Sequence, residues 1–270
     1  MEIEYITHSL DATLSMNEPH VMALGFFDGV HLGHQSLLQQ AKAIAKKEGV
    51  KFTVMTFDPH PHEIIKRDTD RRYITPLDAK LERIAAIGAD KIFVVKFNFS
   101  FASLPADNFI QKYIVGLNAK HVVVGFDFTF GHKAQGDVDY LRHFSKERSY
   151  EVTVISKQTR NNQRISSTLI RKLISEGEVH RIPHYLGKHY EISGCLVESP
   201  IQAFHIHSKY MMPKPGLYQV EILSGTKTTM GYLRCDGESC QLSSSALVSL
   251  KSGEITVKFL HQSLIQTVSV

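Results

Sequence analysis

Cysteine is scarce in this chain of 270 residues: there are three, Cys195, Cys235 and Cys240, and no Cys-x-x-Cys. Sparse, odd-numbered cysteine excludes a disulfide framework and predicts reduced thiols in a cytoplasmic protein. No apolar run approaches the ~20 residues of a membrane-spanning helix. The opening Met1-Glu2-Ile3-Glu4-Tyr5 lacks the basic-then-apolar order of a signal peptide. The formal net charge is only +4 and is spread along the chain. It reads as a solvated surface, so neither nucleic acid nor membrane is expected as a partner. The 15 histidines show no zinc spacing, so no metal ligand is assigned. There is no internal repeat and no low-complexity segment. The length allows a substantial core in one large domain or two ordinary ones. An oligomer is compatible with the sequence, but no feature calls for one.

The chain is organised around Gly25-Phe26-Phe27-Asp28-Gly29-Val30-His31-Leu32-Gly33-His34. An apolar run, Val21-Met22-Ala23-Leu24, precedes it and reads as a buried strand. Leu37, Leu38, Ala41, Ile44 and Ala45 follow at helical spacing between Ser36 and Lys47. Strand, glycine-rich turn and helix bring backbone N–H groups and the positive helix end to one point, where a phosphate can sit. His31 and His34 can both donate to an oxyanion. A bare His-x-Gly-His also arises by chance; the strand before it and the helix after it supply the context the motif needs.

Strands are predicted at 2–6, 52–57, 91–95, 121–125 and 151–156. Helices are predicted from Thr75-Pro76-Leu77 to Gly88, over 106–115, over 138–147, and from Ser166 or Ser167 to Gly177. Two prolines in Asp58-Pro59-His60-Pro61-His62 argue against both helix and ladder there. The alternation implies a parallel sheet covered on both faces. From Tyr190 onward apolar and polar residues alternate between turn signals such as Lys214-Pro215-Gly216, Asp236-Gly237 and Ser252-Gly253. That pattern predicts a small antiparallel β-barrel. The expected division is 1–182 for the α/β domain and 183–270 for the barrel.

Four blocks, in order, resemble the prokaryotic bifunctional riboflavin kinase/FAD synthetases, within the nucleotidylyltransferase superfamily. They are Gly25–His34, Thr56–Pro61, Val123–Gly131 and Ile165–Arg171. The junction Tyr185–Gly194 also looks like the family's bridge to its kinase barrel. The resemblance implies a Rossmann-like nucleotidylyltransferase domain with a parallel sheet, transferring AMP from ATP to FMN with Mg2+. By motif, His31, His34 and Arg171 would be catalytic. Gly25, Phe26, Asp28, Gly33, Arg164, Ser167 and Thr168 would contact ATP. Pro59, His60, Asp127 and Phe128 would contact FMN. Thr129 stands where the family usually has arginine.

The barrel departs further. The family's Pro-Thr-Ala-Asn element is absent; the chain reads Cys195-Leu196-Val197-Glu198-Ser199-Pro200 through His207 instead. Counting back from Glu254–His261 puts Cys240 where the family has its catalytic glutamate, and the family's terminal helix is missing. A thiol is a poor substitute for a carboxylate base, so a kinase fold without kinase chemistry is expected. Two other readings stay open: a bifunctional enzyme retaining both activities, and a flavin-sensing regulatory binding protein. Asp58 reads equally as a turn cap or a site residue. His60 and His62 read equally as solvated loop residues. His205 and His207 lack a third ligand, and Lys46-Lys47 reads as a wet helix face.

Overall fold

Between Glu2 and Ile155 strands and helices alternate: β1 (Glu2–Ile6), β2 (His20–Leu24), α1 (Leu32–Glu48), β3 (Lys51–Asp58), α2 (Pro61–Ile65), α3 (Leu77–Ile87), β4 (Lys91–Lys96), α4 (Phe99–Ala102), α5 (Ala106–Phe109), β5 (Ala119–Gly125), α6 (Val138–Arg148) and β6 (Glu151–Ile155). The computed structural model describes residues 1–7, 18–197, 203–207, 209–237, 240–243 and 252–263. Its packing falls into two units, Met1–Arg71 with Leu77–Gln158, and Arg72–Pro76 with Thr159–Val270.

In the first unit the six strands form one parallel sheet in the order β1-β4-β3-β2-β5-β6. Every residue of β2 is buried, as its unbroken apolar run requires of a strand covered on both faces. Val21 and Ala23 pack with Leu37, Leu38 and Ala41 of α1 and with Leu81 and Ile84 of α3. Met22 and Leu24 face the other way, with Phe101 of α4, Phe109 of α5 and Leu141 of α6. Chain direction across the sheet reverses beside β2: β3 and β4 follow on one side, β5 and β6 on the other. In open α/β sheets the crevice outside such a switch point, at the carboxyl ends of the strands, is where ligands bind.

Three local expectations are corrected. Pro61 does not exclude a helix; it opens α2 from the first helical position, where its missing N–H costs nothing. α1 begins at Leu32 rather than Ser36, because the His31 side chain caps it. The 106–115 helix is α only through Phe109 and widens into a π-helical turn over Ile110–Val115.

The second unit opens with a ribbon of β7 (Thr159–Arg160) and β8 (Gln163–Arg164), followed by α7 (Ser167–Glu176) and α8 (Pro183–Leu186). Then come β9 (Glu191–Val197), β10 (Ala203–Ile206), β11 (Gly216–Ser224), β12 (Lys227–Cys235), β13 (Cys240–Ser243) and β14 (Gly253–Gln262). These six close as the expected antiparallel barrel, in the order β10-β13-β12-β11-β14-β9. Tyr190, Ile192, Tyr218, Val220, Ile222, Leu233, Val257 and Phe259 are fully buried in this unit. α7 is fastened to this unit: Lys214 N–H donates to the Ile174 carbonyl at 3.2 Å. Gly177 (φ +80°) ends α7, and a Cβ there would lie 2.7 Å from Gln262 Oε1 and 3.0 Å from Tyr218 Oη. The expected lack of a terminal helix concerns residues 264–270, and much of the departure at 195–207 concerns 198–202; both lie outside the described residues.

Candidate active site

Three of the four sequence blocks leave the carboxyl ends of adjacent strands β3, β2 and β5, at Asp58, Leu24 and Gly125. The turn after β2 is tightly wound. The Phe27 ring folds back so that a Cβ on Gly25 would lie 2.7 Å from it. Phe27, Gly29 and Val30 have φ of 60°, 85° and 45°. A β-branched residue at positive φ is strained, and such strain persists only where packing enforces it. Phe27, Asp28 and Val30 are all buried.

That winding delivers His31 to the start of α1. Its Nδ1 accepts the His34 N–H at 3.2 Å, so in the neutral ring Nε2 carries the proton and is the donor. The Gln35 N–H donates to the His31 carbonyl at 2.8 Å. The N–H groups of Leu32 and Gly33, at the helix start, have no carbonyl within the helix to reach. The His31 and His34 rings stack with centroids 3.6 Å apart and planes 15° off parallel. His34 Nδ1 is buried with no hydrogen-bond partner. Burial, with repulsion from His31 and Lys80, holds His34 well below the usual histidine range. His34 is therefore neutral at pH 7.

The turn rests on two residues that the sequence reading missed. Lys80 of α3 is buried, and its Nζ donates to the Phe26 carbonyl at 3.2 Å and the Phe57 carbonyl at 3.3 Å. It also lies 4.1 Å from the centre of the Phe26 ring. Burial pushes its ammonium down to about 8, against the pull of Asp28 and Asp58. One turn on, Arg83 donates to the Gly29 carbonyl at 3.0 Å. The signal was present in the sequence: Lys80 interrupts the apolar stripe of Leu77, Leu81 and Ile84.

After β3 the Asp58–Pro59 peptide is cis. His60 caps α2, its Nδ1 accepting the His62 N–H at 3.0 Å. The His60 ring stands edge-on to Phe26 at 4.3 Å, and Arg71 reaches its Nε2 at 3.2 Å. His60 is thus part of the loop scaffold. After β5, Phe126 and Asp127 are exposed and Phe128 is half-buried. Phe128 and Phe130 stack at 5.8 Å. They line a cavity of about 310 Å³ with Phe57, Phe97, Phe101 and Phe109, together with Pro61, Thr129 and Lys133. Sequence reasoning reached Phe128 but not this cavity, whose other aromatics come from distant segments.

The fourth block belongs to the second unit. Ser166 is the helix cap, its Oγ accepting the Leu169 N–H at 3.2 Å. Ser167 and Thr168 fall in the first turn of α7. Arg171 donates to the Arg72 carbonyl at 2.6 Å. Arg164 is exposed on β8. The structure thus brings Gly25, Phe26, Asp28, His31, Gly33, His34 and His60 around one turn. Asp127 and Phe128 leave the neighbouring strand.

A family model for FAD synthetase matches residues 13–169. The chain belongs to the FAD synthetase family. The enzyme is 37% identical over 241 residues to the bifunctional riboflavin kinase/FMN adenylyltransferase of Listeria monocytogenes, covering 86% of this chain and 76% of that relative. The protein of the same description from Bacillus subtilis is 37% identical over 231 residues, 82% of this chain and 73% of that relative. A FAD synthetase of Listeria monocytogenes is 31% identical over 222 residues, 82% of this chain and 87% of that relative. A crystal structure described as a macrolide-efflux protein from Streptococcus pneumoniae superposes with a TM-score of 0.84 at 24% identity, over 98% of this chain and 93% of that one. That likeness speaks for the fold alone. The enzyme is accordingly a nucleotidyltransferase of FAD biosynthesis, and the reading as a sensor without catalysis is set aside. Among the described residues no helix is long and apolar enough to cross a membrane.

Proposed function

We propose that the enzyme joins AMP from ATP to FMN, giving FAD and pyrophosphate, in the cytoplasm, and that it no longer phosphorylates riboflavin. The observation that carries the transfer reading is the stacked His31–His34 pair at the N-terminus of α1. A phosphate oxygen of FMN attacks the α-phosphorus of ATP. A new P–O bond forms, the bond from the α-phosphorus to the bridging oxygen breaks, and pyrophosphate leaves. The attacking phosphate is already anionic at neutral pH, so no side chain need deprotonate it. The protein's part is alignment and charge stabilisation.

His31 Nε2–H and the N–H groups of Leu32 and Gly33 are suited to phosphate oxygens, as is the sheltered His34 ring. The approach of phosphate favours a proton on that ring, opposing the effect of burial. Gly25, Phe26, Asp28 and Gly33 form the nucleotide turn in this reading. Arg164, Ser167, Thr168 and Arg171 contribute phosphate contacts at the start of α7. The aromatic cavity suits a flat, largely apolar ring system such as that of FMN, with Phe128 in its wall and Pro59, His60 and Asp127 on the flanking loops. Among the described residues the one convergence of three His, Cys, Asp or Glu donors is elsewhere, at Glu48, His121 and Glu151. Magnesium would be carried on the ATP phosphates, where it neutralises charge and keeps several waters.

The transferase is taken to run through residue 182, with the barrel from 183 serving as the platform that holds α7. Loss of kinase chemistry is supported by Cys240, which is buried with its Sγ 3.3 Å from that of Cys235. The name FAD synthetase for the Listeria relative that this chain covers to 87% favours the same reading. The bifunctional relatives at 37% identity favour the second reading, in which both activities survive. Pure protein is incubated with ATP and magnesium, once with riboflavin and once with FMN, and the flavins are separated. FAD from FMN, with no FMN from riboflavin, is the expected result. FMN appearing from riboflavin overturns the loss of the kinase, and no FAD from FMN overturns the transferase.

A further inference from the structure

At the amino ends of β5 and β6, away from the phosphate turn, three donors converge. We propose that Glu48, His121 and Glu151 bind a divalent first-row transition metal of the zinc class. His121 of β5 pairs directly with Glu151 of β6, and Glu48 is the last residue of α1. His121 is buried, while both carboxylates reach solvent. His121 Nδ1 lies 3.3 Å from Glu48 Oε1 and 3.5 Å from Glu151 Oε2. All three ligand atoms fall within 4.8 Å of one another. A tetrahedral ion ~2.0 Å from nitrogen and oxygen donors places those donors ~3.3 Å apart.

A second observation concerns the far side of the ring. His121 Nε2 lies 2.7 Å from Thr153 Oγ1. Metal binding would place the proton on Nε2, donating to that hydroxyl, and turn the Nδ1 lone pair toward an ion shared with the two carboxylates; without metal, Nδ1–H can donate to Glu48 Oε1 instead. An outer hydrogen bond of this kind fixes the tautomer in most histidine metal sites. One imidazole beside two carboxylates suits zinc, cobalt or iron better than magnesium, which prefers oxygen alone. The carboxyl end of α1 adds further negative potential. Bound metal would clamp α1 to the edge of the sheet. Sequence spacing could not show the site, because its ligands come from three elements.

The test is zinc competition against a chromophoric chelator, with the full chain and with Glu48→Gln/Glu151→Gln. The wild type should hold one more tight equivalent than the double variant. Glu151→Gln alone, at a solvent-exposed position, should weaken that equivalent by at least about tenfold. Thr153→Val should weaken it similarly, and Thr153→Ser should restore it. Zinc should raise the thermal unfolding midpoint of the wild type and not of the double variant. FAD formation should be unchanged in the double variant. X-ray absorption of the zinc-loaded wild type should show nitrogen from one imidazole. Equal stoichiometry and affinity in wild type and double variant would mean an ion pair only, and overturn the proposal.

Discussion

Lys80→Met should cost the fold little at pH 7 and damage catalysis. Lys80 is enclosed, with its ammonium pushed from 10.5 to about 8 by burial. In the unfolded chain it keeps its proton up to about 10.5. Between pH 8 and 10.5 folding therefore expels a proton, and stability rises with pH. Below pH 8 the full cost of enclosing the charge is present, about 3 kcal/mol; by pH 9 it has fallen to about 2 kcal/mol. Methionine removes this cost at every pH. It forfeits hydrogen bonds to two carbonyls, but that of Phe26 also accepts from Thr56 Oγ1 at 2.9 Å. The sharpest quantity is the pH dependence: wild type should gain about 1 kcal/mol on the variant between pH 7 and pH 9. Urea unfolding of both proteins at both pH values, followed by circular dichroism, measures it. FAD formation should fall at least about tenfold, because the Phe26 and Phe57 carbonyls beside the proposed site lose their common anchor. Parallel pH trends in the two proteins would refute the enclosed-charge argument, whatever the activity.

His34→Ala should lower turnover for FAD synthesis ~100-fold or more. His31→Asn should do the same while keeping the helix cap, so its unfolding midpoint stays near wild type; normal FAD formation in both variants would remove the site assignment. Burial of His20 pushes its imidazole down to about 4, so the unfolded chain binds a proton that the fold refuses between about pH 6.5 and 4. Stability should fall across that window as pH drops, and His20→Leu should flatten the fall, read from unfolding midpoints at pH 7 and pH 4.5. Phe128→Ala should raise KM for FMN severalfold and leave KM for ATP unchanged, measured by initial rates with each substrate varied in turn.

Much of the fold was legible along the chain because its causes are local. The unbroken run Val21–Leu24 marked a strand buried on both faces, and glycine-rich punctuation marked the turn after it. Period-two alternation beyond Tyr190 marked the barrel. Pro61 was misread because proline disfavours a helix interior but suits a helix start, and only the backbone shows which of the two is present. The His31–His34 pair was visible as spacing. The stacking of the rings and the neutrality of His34 follow from burial and from neighbours remote in sequence.

The sequence by itself determined that a glycine-rich turn stands between a buried strand and a helix, since strand, turn and helix are each encoded within a few residues. Only the tertiary structure decided what supports and surrounds that turn. Lys80 and Arg83 arrive more than fifty residues later, and the aromatic cavity and the Glu48–His121–Glu151 cluster gather from separate elements. Strand order and the crossing of helices over the sheet bring such groups together, and no local pattern records those long-range contacts.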